Sequence, residues 1–131
     1  MAGAMSAEDR LAVMNLIARY AQCLDAGDID GYVANFTPEA RIEWANGSAK
    51  GRDEIRAWVS GLMRGGIGAT PARVRHVAGM PEIDGDSERC SARTYVIILS
   101  TRDDGTVVVS SLGSYADTIV KTEAGWLFEK R

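Results

Sequence analysis

Three side chains in this sequence have the acid/base chemistry to act on a small molecule: Tyr20, Asp25 and His76. Alternation along the segment RVRHVAG places His76 on the same strand face as Val74 and Ala78, so we expect its imidazole to point inward. A single inward histidine is often a satisfied core residue. If a carboxylate fixes its tautomer, the other ring nitrogen becomes a base near neutral pH.

Asp25 and Tyr20 each allow a structural and a chemical interpretation. Asp25 lies in DAGD, which has turn composition, yet a carboxylate at the C-terminal end of a helix is disfavoured unless another group stabilises it. Tyr20 lies about 140° away from Asp25 around an ideal helix, so the two reach one pocket only if the helix ends before Asp25. Tyr20 is equally compatible with a core aromatic whose hydroxyl reaches the rim.

The spacing of apolar residues predicts the elements that must position these side chains. Ser6 begins a pattern that resembles a capping box, and apolar residues then recur every three to four positions, which predicts a helix over about Ala7–Leu24. Gly27 is suited to end that helix. Asp28 is placed to cap a second, shorter helix that runs through Tyr32 to Phe36.

The rest of the chain changes from helical to strand periodicity. ARIEWA has strand composition, and GRDEIRAWVSGLMRG has the spacing of a third helix. The segments ARVRHVAG, ERCSARTYVIILSTR, GTVVVSSLGSYADTIVK and GWLFEKR are rich in β-branched and aromatic residues, with turn signals between them at 84–85, 103–105 and 123–125. Helices followed by hairpin-linked strands predict an α+β domain with the helices on one face of an antiparallel sheet.

Length, charge and cysteine content exclude several classes of protein. The 131 residues are enough for one domain, which we place at 1–131 with residues 1–6 as a flexible start. A net charge of −3 argues against a nucleic-acid partner. Without an apolar run of ~20 residues or a signal-peptide pattern, we expect no membrane partner and a cytoplasmic location. Cys23 and Cys90 are far apart and only one histidine is present, so we expect neither a metal site nor a cofactor.

Three segments resemble a known family: RYAQCLDAGDIDGYVANFTPEARIEW, RHVAGMPEIDGD and GSYADTIVKTEAGWLFEKR. The chain is similar from about Asp9 to Arg131 to SnoaL-like proteins of the nuclear transport factor 2 fold. The resemblance implies a cone in which a curved antiparallel sheet wraps three N-terminal helices around a deep apolar pocket. Because this fold hosts enzymes as well as subunits that catalyse nothing, the fold alone does not assign an activity.

Within that family, the residues best resemble the branch that includes scytalone dehydratase, bile-acid dehydratase and hexachlorocyclohexane dehydrochlorinase. Those enzymes place an aspartate at the end of the first helix beside a histidine on the sheet, often with a tyrosine about one turn earlier. The matching positions here are Asp25, His76 and Tyr20, which the resemblance implies are catalytic. Ketosteroid isomerases carry their base in the first strand, where this chain has Trp44, so their chemistry is not expected to transfer.

The implied pocket needs lining residues, and a cavity of at least ~300 Å³ is expected beside the histidine. The residues expected to bind substrate there are Trp44, Met80, Tyr115 and Arg93. Arg93 shares a strand face with Tyr95, so it is either a buried anchor or a surface residue. Arg131 matches a basic residue near the end of the last strand in the dehydratases.

These features together predict a cofactor-free acid/base enzyme that acts on a small hydrophobic cyclic metabolite. The expected reaction is a dehydration by a lyase, or a related isomerisation or cyclisation. The alternative is a non-catalytic ligand-binding or small-subunit module that resembles the small subunit of ring-hydroxylating dioxygenases. A third interpretation, epoxide hydrolysis by an Asp–Arg–Asp arrangement, has only Arg93 as a candidate arginine. The apolar outer faces of the two longest strands predict a homodimer through the sheet.

Overall fold

The structure is a computed structural model that describes residues 1–69 and 73–131, so Ala72 at the start of one predicted strand lies outside it. Helix α1 spans Ala7–Ala26, α2 spans Ile29–Ala34 and α3 spans Gly51–Arg64. The hydroxyl of Ser6 caps α1 by accepting a hydrogen bond from the third backbone N–H of the helix at 3.0 Å. Among the described residues, no helix is long and apolar enough to cross a membrane.

The ends of the first two helices follow the local signals in the sequence, with small shifts. Gly27 ends α1 with a left-handed backbone (φ 72°), as predicted, and the last helical residue is Ala26, two positions after the predicted Leu24. Asp28 caps α2, and its carboxylate accepts a hydrogen bond from the backbone N–H of Gly31 at 2.9 Å. Helix α2 is shorter than expected, because Phe36 already begins the first strand.

Within the part of the chain that the structure describes, seven strands form one sheet in the order β2-β1-β7-β6-β5-β3, with β4 beside β3 on the same edge of β5. Their bounds are β1 Phe36–Trp44, β2 Gly47–Lys50, β3 Val74–Ala78, β4 Glu82–Gly85, β5 Arg89–Thr101, β6 Val107–Thr122 and β7 Gly125–Lys130. All neighbouring strands are antiparallel except β1 and β7, which pair in parallel. The α+β fold class is confirmed, and the sheet is mixed by this one pair.

Alternation along β5 separates the helix-covered face of the sheet from its outer face. Ala92, Thr94 and Val96 are buried under the helices, whereas Arg93 and Tyr95 are exposed on the other side. The core is made by the apolar stripe of α1 and the inward residues of the sheet, and full burial of each large apolar side chain stabilises the fold by ~1.5–3 kcal/mol. This packing decides which strand residues can reach a pocket between helices and sheet.

The first residues of the chain, expected to be a flexible start, contact the turn between β4 and β5. The backbone N–H of Gly3 donates to the Ser87 hydroxyl at 2.9 Å, and its carbonyl accepts from the Ser87 N–H, also at 2.9 Å. Ala4 forms an isolated antiparallel bridge with Asp86. These contacts hold the segment against the sheet edge.

Candidate functional site

Asp25 and His76 meet although they are separated by 51 positions in the chain. Asp25 lies in the last turn of α1, and His76 is the central residue of β3. Oδ1 of Asp25 lies 2.6 Å from Nδ1 of His76, and Oδ2 accepts a hydrogen bond from the His76 backbone N–H at 2.9 Å. The two side chains are only 10% and 7% exposed. One carboxylate therefore holds both the strand and the ring, and leaves Nε2 as the remaining nitrogen of the imidazole.

The position of Asp25 also explains how a carboxylate is tolerated near the C-terminus of α1. We expected α1 to end before Asp25 if Asp25 and Tyr20 were to reach the same pocket. The helix instead continues through Asp25 and Ala26. The last turn of α1 contains no basic residue to balance the negative end of the helix dipole. The hydrogen bonds to His76 supply the missing stabilisation. Asp25 consequently lies behind the imidazole, while Tyr20 reaches the cavity directly.

A cavity of about 260 Å³ opens beside His76 between the helices and the sheet. Its apolar wall consists of Leu24, Ile42, Trp58, Leu62, Ile67 and Ile98. The volume is somewhat smaller than the ~300 Å³ we expected as a minimum. Because an apolar cavity of about 150 Å³ can hold benzene, this one has room for a compact molecule of one or two rings.

Tyr20 supplies a hydroxyl to the cavity wall and is supported from behind by Tyr32. The Tyr32 hydroxyl donates to the Tyr20 hydroxyl at 2.9 Å, so the hydrogen of Tyr20 is available for another acceptor. Burial raises the pKa of Tyr20, and burial raises the pKa of Tyr32 well above its ordinary value. Both phenols therefore stay protonated, and Tyr20 can act as a hydrogen-bond donor at neutral pH.

Arg131 and Asp117 form a buried charged pair beside the cavity. Nε of Arg131 lies 3.4 Å from Oδ1 of Asp117, and the side chains are 2% and 0% exposed. The guanidinium carbon lies 3.6 Å from the ring centre of Tyr115 and 4.2 Å from that of Tyr20. Burial raises the pKa of Asp117 to about 6, against the opposing effect of the Arg131 charge.

Sequence reasoning left the role of Arg131 open and did not identify Asp117. A signal was present, because alternation in SYADTIVK places Asp117 on the same inward face as Tyr115 and Ile119. A carboxylate between those two residues has to be buried. Its partner could not be inferred, since Arg131 reaches it from the end of the neighbouring strand β7.

Of the four residues expected to bind substrate, two line the cavity and two do not. Trp44 and Tyr115 line it, and Trp44 stacks on Trp58 with ring centres 4.7 Å apart and an angle of 15° between the ring planes. Met80 is 86% exposed, and Arg93 pairs with the carboxylate of Glu82 at 2.6 Å. Arg93 points to the outer face of β5, and Met80 lies between β3 and β4, so neither is part of this cavity.

Comparison with known proteins places the chain in a family. The family described as SnoaL-like domain matches residues 5–131. The comparison with curated proteins found no match.

Three solved structures illustrate the similarity. An NTF2-like protein with a cystatin-like fold from Novosphingobium aromaticivorans is 25% identical, with a TM-score of 0.81 over 95% of this chain and 79% of that one. A structure from Catenulispora acidiphila in complex with S-DNPA is 27% identical, with a TM-score of 0.81 over 96% of this chain and 92% of that one.

The third is a chain from Novosphingobium aromaticivorans that is named as the beta subunit of an aromatic-ring-hydroxylating dioxygenase. It is 18% identical, with a TM-score of 0.77 over 93% of this chain and 85% of that one, so the likeness concerns the fold alone. The match over nearly the whole sequence, together with helices packed on one face of a sheet around a cavity, shows that this chain belongs to the SnoaL-like domain family and has the nuclear transport factor 2-like fold.

Proposed function

We propose that this protein is a cofactor-free acid/base enzyme that removes water from a small hydrophobic cyclic metabolite, or carries out a related isomerisation or cyclisation. The observation that carries the proposal is the Asp25–His76 pair in the wall of an apolar cavity, with an Oδ1–Nδ1 distance of 2.6 Å. An oriented imidazole beside an apolar cavity is the arrangement that general base catalysis requires.

In this proposal, Nε2 of His76 removes a proton from a carbon next to a carbonyl group. Asp25 does not touch the substrate: it fixes the tautomer of His76 and stabilises the imidazolium that forms. Tyr20 donates a hydrogen bond to the carbonyl oxygen as negative charge develops there. The carbon–carbon double bond forms as the β-hydroxyl leaves, and the proton held by His76 passes to that hydroxyl, so that water departs and the imidazole returns to its neutral form.

The size and lining of the cavity support a compact, largely apolar substrate. The polar groups at the wall are few, and most of the lining is aliphatic or aromatic. The 27% identical structure from Catenulispora acidiphila is in complex with S-DNPA, which supports the binding of a small molecule by this chain. We therefore propose cyclic β-hydroxy carbonyl compounds of one or two rings as the substrate class.

Dehydration of a panel of such compounds, followed as loss of one water by mass spectrometry, tests the proposal. We expect His76→Ala to abolish turnover and Asp25→Asn to weaken it, with a smaller loss for Tyr20→Phe, because each acid/base group contributes ~10²–10⁴-fold. Circular dichroism checks that each variant is folded. Full activity in folded His76→Ala would show that the histidine is structural.

We also propose that two copies of the chain associate through the outer face of the sheet. Tyr95 and Leu112 are each 79% exposed there, and Leu112 faces Ile97 across the β5–β6 pair. A continuous apolar face of this kind marks an interaction surface. We expect a dimer by light scattering at micromolar concentration and a monomer for Leu112→Glu. Leu11→Glu is the matched control, since Leu11 is 65% exposed on α1, and it should leave the dimer intact.

A second candidate function is a non-catalytic binding or small-subunit module, which the exposed sheet face favours. In that case the outer face would contact a larger partner protein rather than a second copy. A wild-type protein that binds cyclic ligands, converts none of them and binds equally well as His76→Ala would support this candidate over the enzyme.

A further inference from the structure

The guanidinium group of Arg131 is short of hydrogen-bond acceptors. Its three nitrogens, Nε, Nη1 and Nη2, are buried and make no hydrogen bond with any described residue. Asp117 is close enough to balance the charge, at 3.4 Å, but neither of its oxygens accepts a hydrogen bond from residues 1–69 or 73–131. A buried donor without an acceptor destabilises a protein, and a charged donor does so most, so this group calls for an explanation.

The surroundings of Arg131 restrict how an acceptor can reach it. Its guanidinium lies over the rings of Tyr20, Tyr115 and Phe128, at 4.2, 3.6 and 4.5 Å from the ring centres. Stacked rings stabilise the charge but accept no strong in-plane hydrogen bond. An acceptor must therefore approach in the plane of the guanidinium. Arg131 lines the same cavity as His76 and Tyr20. Glu43 also lines it, but its carboxylate is paired with Arg41 and Lys130, so the acceptor for Arg131 can come from a bound molecule.

We infer that the cavity binds molecules that carry an anionic oxygen, such as a carboxylate or the oxygen of an acidic enol, and that Arg131 is the residue that recognises it. This inference names the substrate class of the site and rests on the function proposed above. An anionic oxygen would supply the acceptor that the guanidinium lacks, and a charge-assisted bond of this kind is about twice as strong as a neutral one. Asp117 keeps the charge balanced when the cavity is empty.

A matched pair of probes tests the inference without knowledge of the natural substrate. Naphthalene-2-carboxylate and naphthalene-2-carboxamide differ in charge and little in shape, and calorimetry measures the affinity of each. We expect the wild type to bind the carboxylate roughly tenfold or more tightly than the amide, because one hydrogen bond to a charged group is worth about 1.5–3 kcal/mol. The double variant Asp117→Asn/Arg131→Gln should lose this preference and, having no unpaired buried charge, should remain folded.

Two control variants separate this inference from the proposed acid/base chemistry. Arg93→Gln removes an exposed arginine on the outer face and should keep the preference for the carboxylate. His76→Ala should also keep it, even though turnover is lost. Equal affinity of the wild type for both probes, or a preference that survives in the double variant, would overturn the inference. A carboxylate preference without any dehydration would instead count against the proposed function and leave the role of Arg131 intact.

Discussion

The carboxylate of Asp117 makes the stability of the protein depend on pH in an unusual direction. Burial raises its pKa from the ordinary 3.8 to about 6, although the Arg131 charge acts to lower it. At pH values between these two, the folded protein keeps the proton while the unfolded chain has lost it. The contribution of Asp117 to stability is therefore complete below about pH 4 and is lost as the pH rises through about 6.

The size of this effect follows from the two pKa values. A rise from 3.8 to about 6 corresponds to about 3 kcal/mol in the free energy of unfolding. This is a large share of the total, since domains of this size are stable by about 5–15 kcal/mol. The expected slope is opposite to that of surface carboxylates in ion pairs, which stabilise the folded state more as the pH rises.

Urea unfolding of the wild type and of Asp117→Asn between about pH 4 and about pH 7 measures the effect. The asparagine side chain is neutral, as the protonated carboxyl of Asp117 is, so we expect Asp117→Asn and the wild type to be about equally stable near pH 4. The informative quantity is the difference in the free energy of unfolding between the two proteins, because the wild type should lose about 3 kcal/mol relative to Asp117→Asn as the pH rises across this range. Glu123→Gln is the control, because Glu123 is exposed in the turn between β6 and β7, and its pH profile should follow that of the wild type.

Parallel pH profiles for the wild type and Asp117→Asn would refute this reasoning. That result would mean that Asp117 ionises in the folded protein as easily as in the unfolded chain. Its charge would then be compensated by Arg131 far better than the 3.4 Å separation and the missing hydrogen bonds indicate.

Two further predictions concern the supports of the cavity. Tyr20→Phe should lower the free energy of unfolding in urea by about 1–3 kcal/mol, because the buried Tyr32 hydroxyl loses its acceptor. The double variant Tyr20→Phe/Tyr32→Phe should recover most of that loss. A double variant as unstable as the single one would contradict this prediction. Gly68→Ala should destabilise the fold more than Gly66→Ala in thermal unfolding. Both glycines have positive φ, but an added Cβ at Gly68 would lie 2.6 Å from Cα of Gly27, whereas an added Cβ at Gly66 would have no atom within 4 Å. Equal destabilisation by the two substitutions would show that the close approach of Gly68 to Gly27 does not matter for stability.

Local signals in the sequence were sufficient to predict where the helices start, the turns at 103–105 and 123–125, and the order of the helices and of five strands. They did not predict the short strands β2 and β4, and the turn expected at 84–85 lies within β4. Ser6, Gly27 and Asp28 act through hydrogen bonds and backbone angles within a few residues, so their effect does not depend on the rest of the fold. Alternation likewise assigned His76 to the inward face of its strand, because successive strand residues always point to opposite faces. The resemblance then indicated which aspartate lies beside it.

Tertiary packing decided the rest of the candidate site. Alternation correctly grouped Arg93 with Tyr95, but only the packing of the helices determines which face of the sheet is covered, and these two residues are on the open one. Asp117 lies on β6 and Arg131 directly follows β7, and the register between these two strands brings them together. The sequence by itself determined the fold class and an inward histidine, whereas the tertiary structure decided which charged groups share the cavity, because those contacts join residues far apart in the chain.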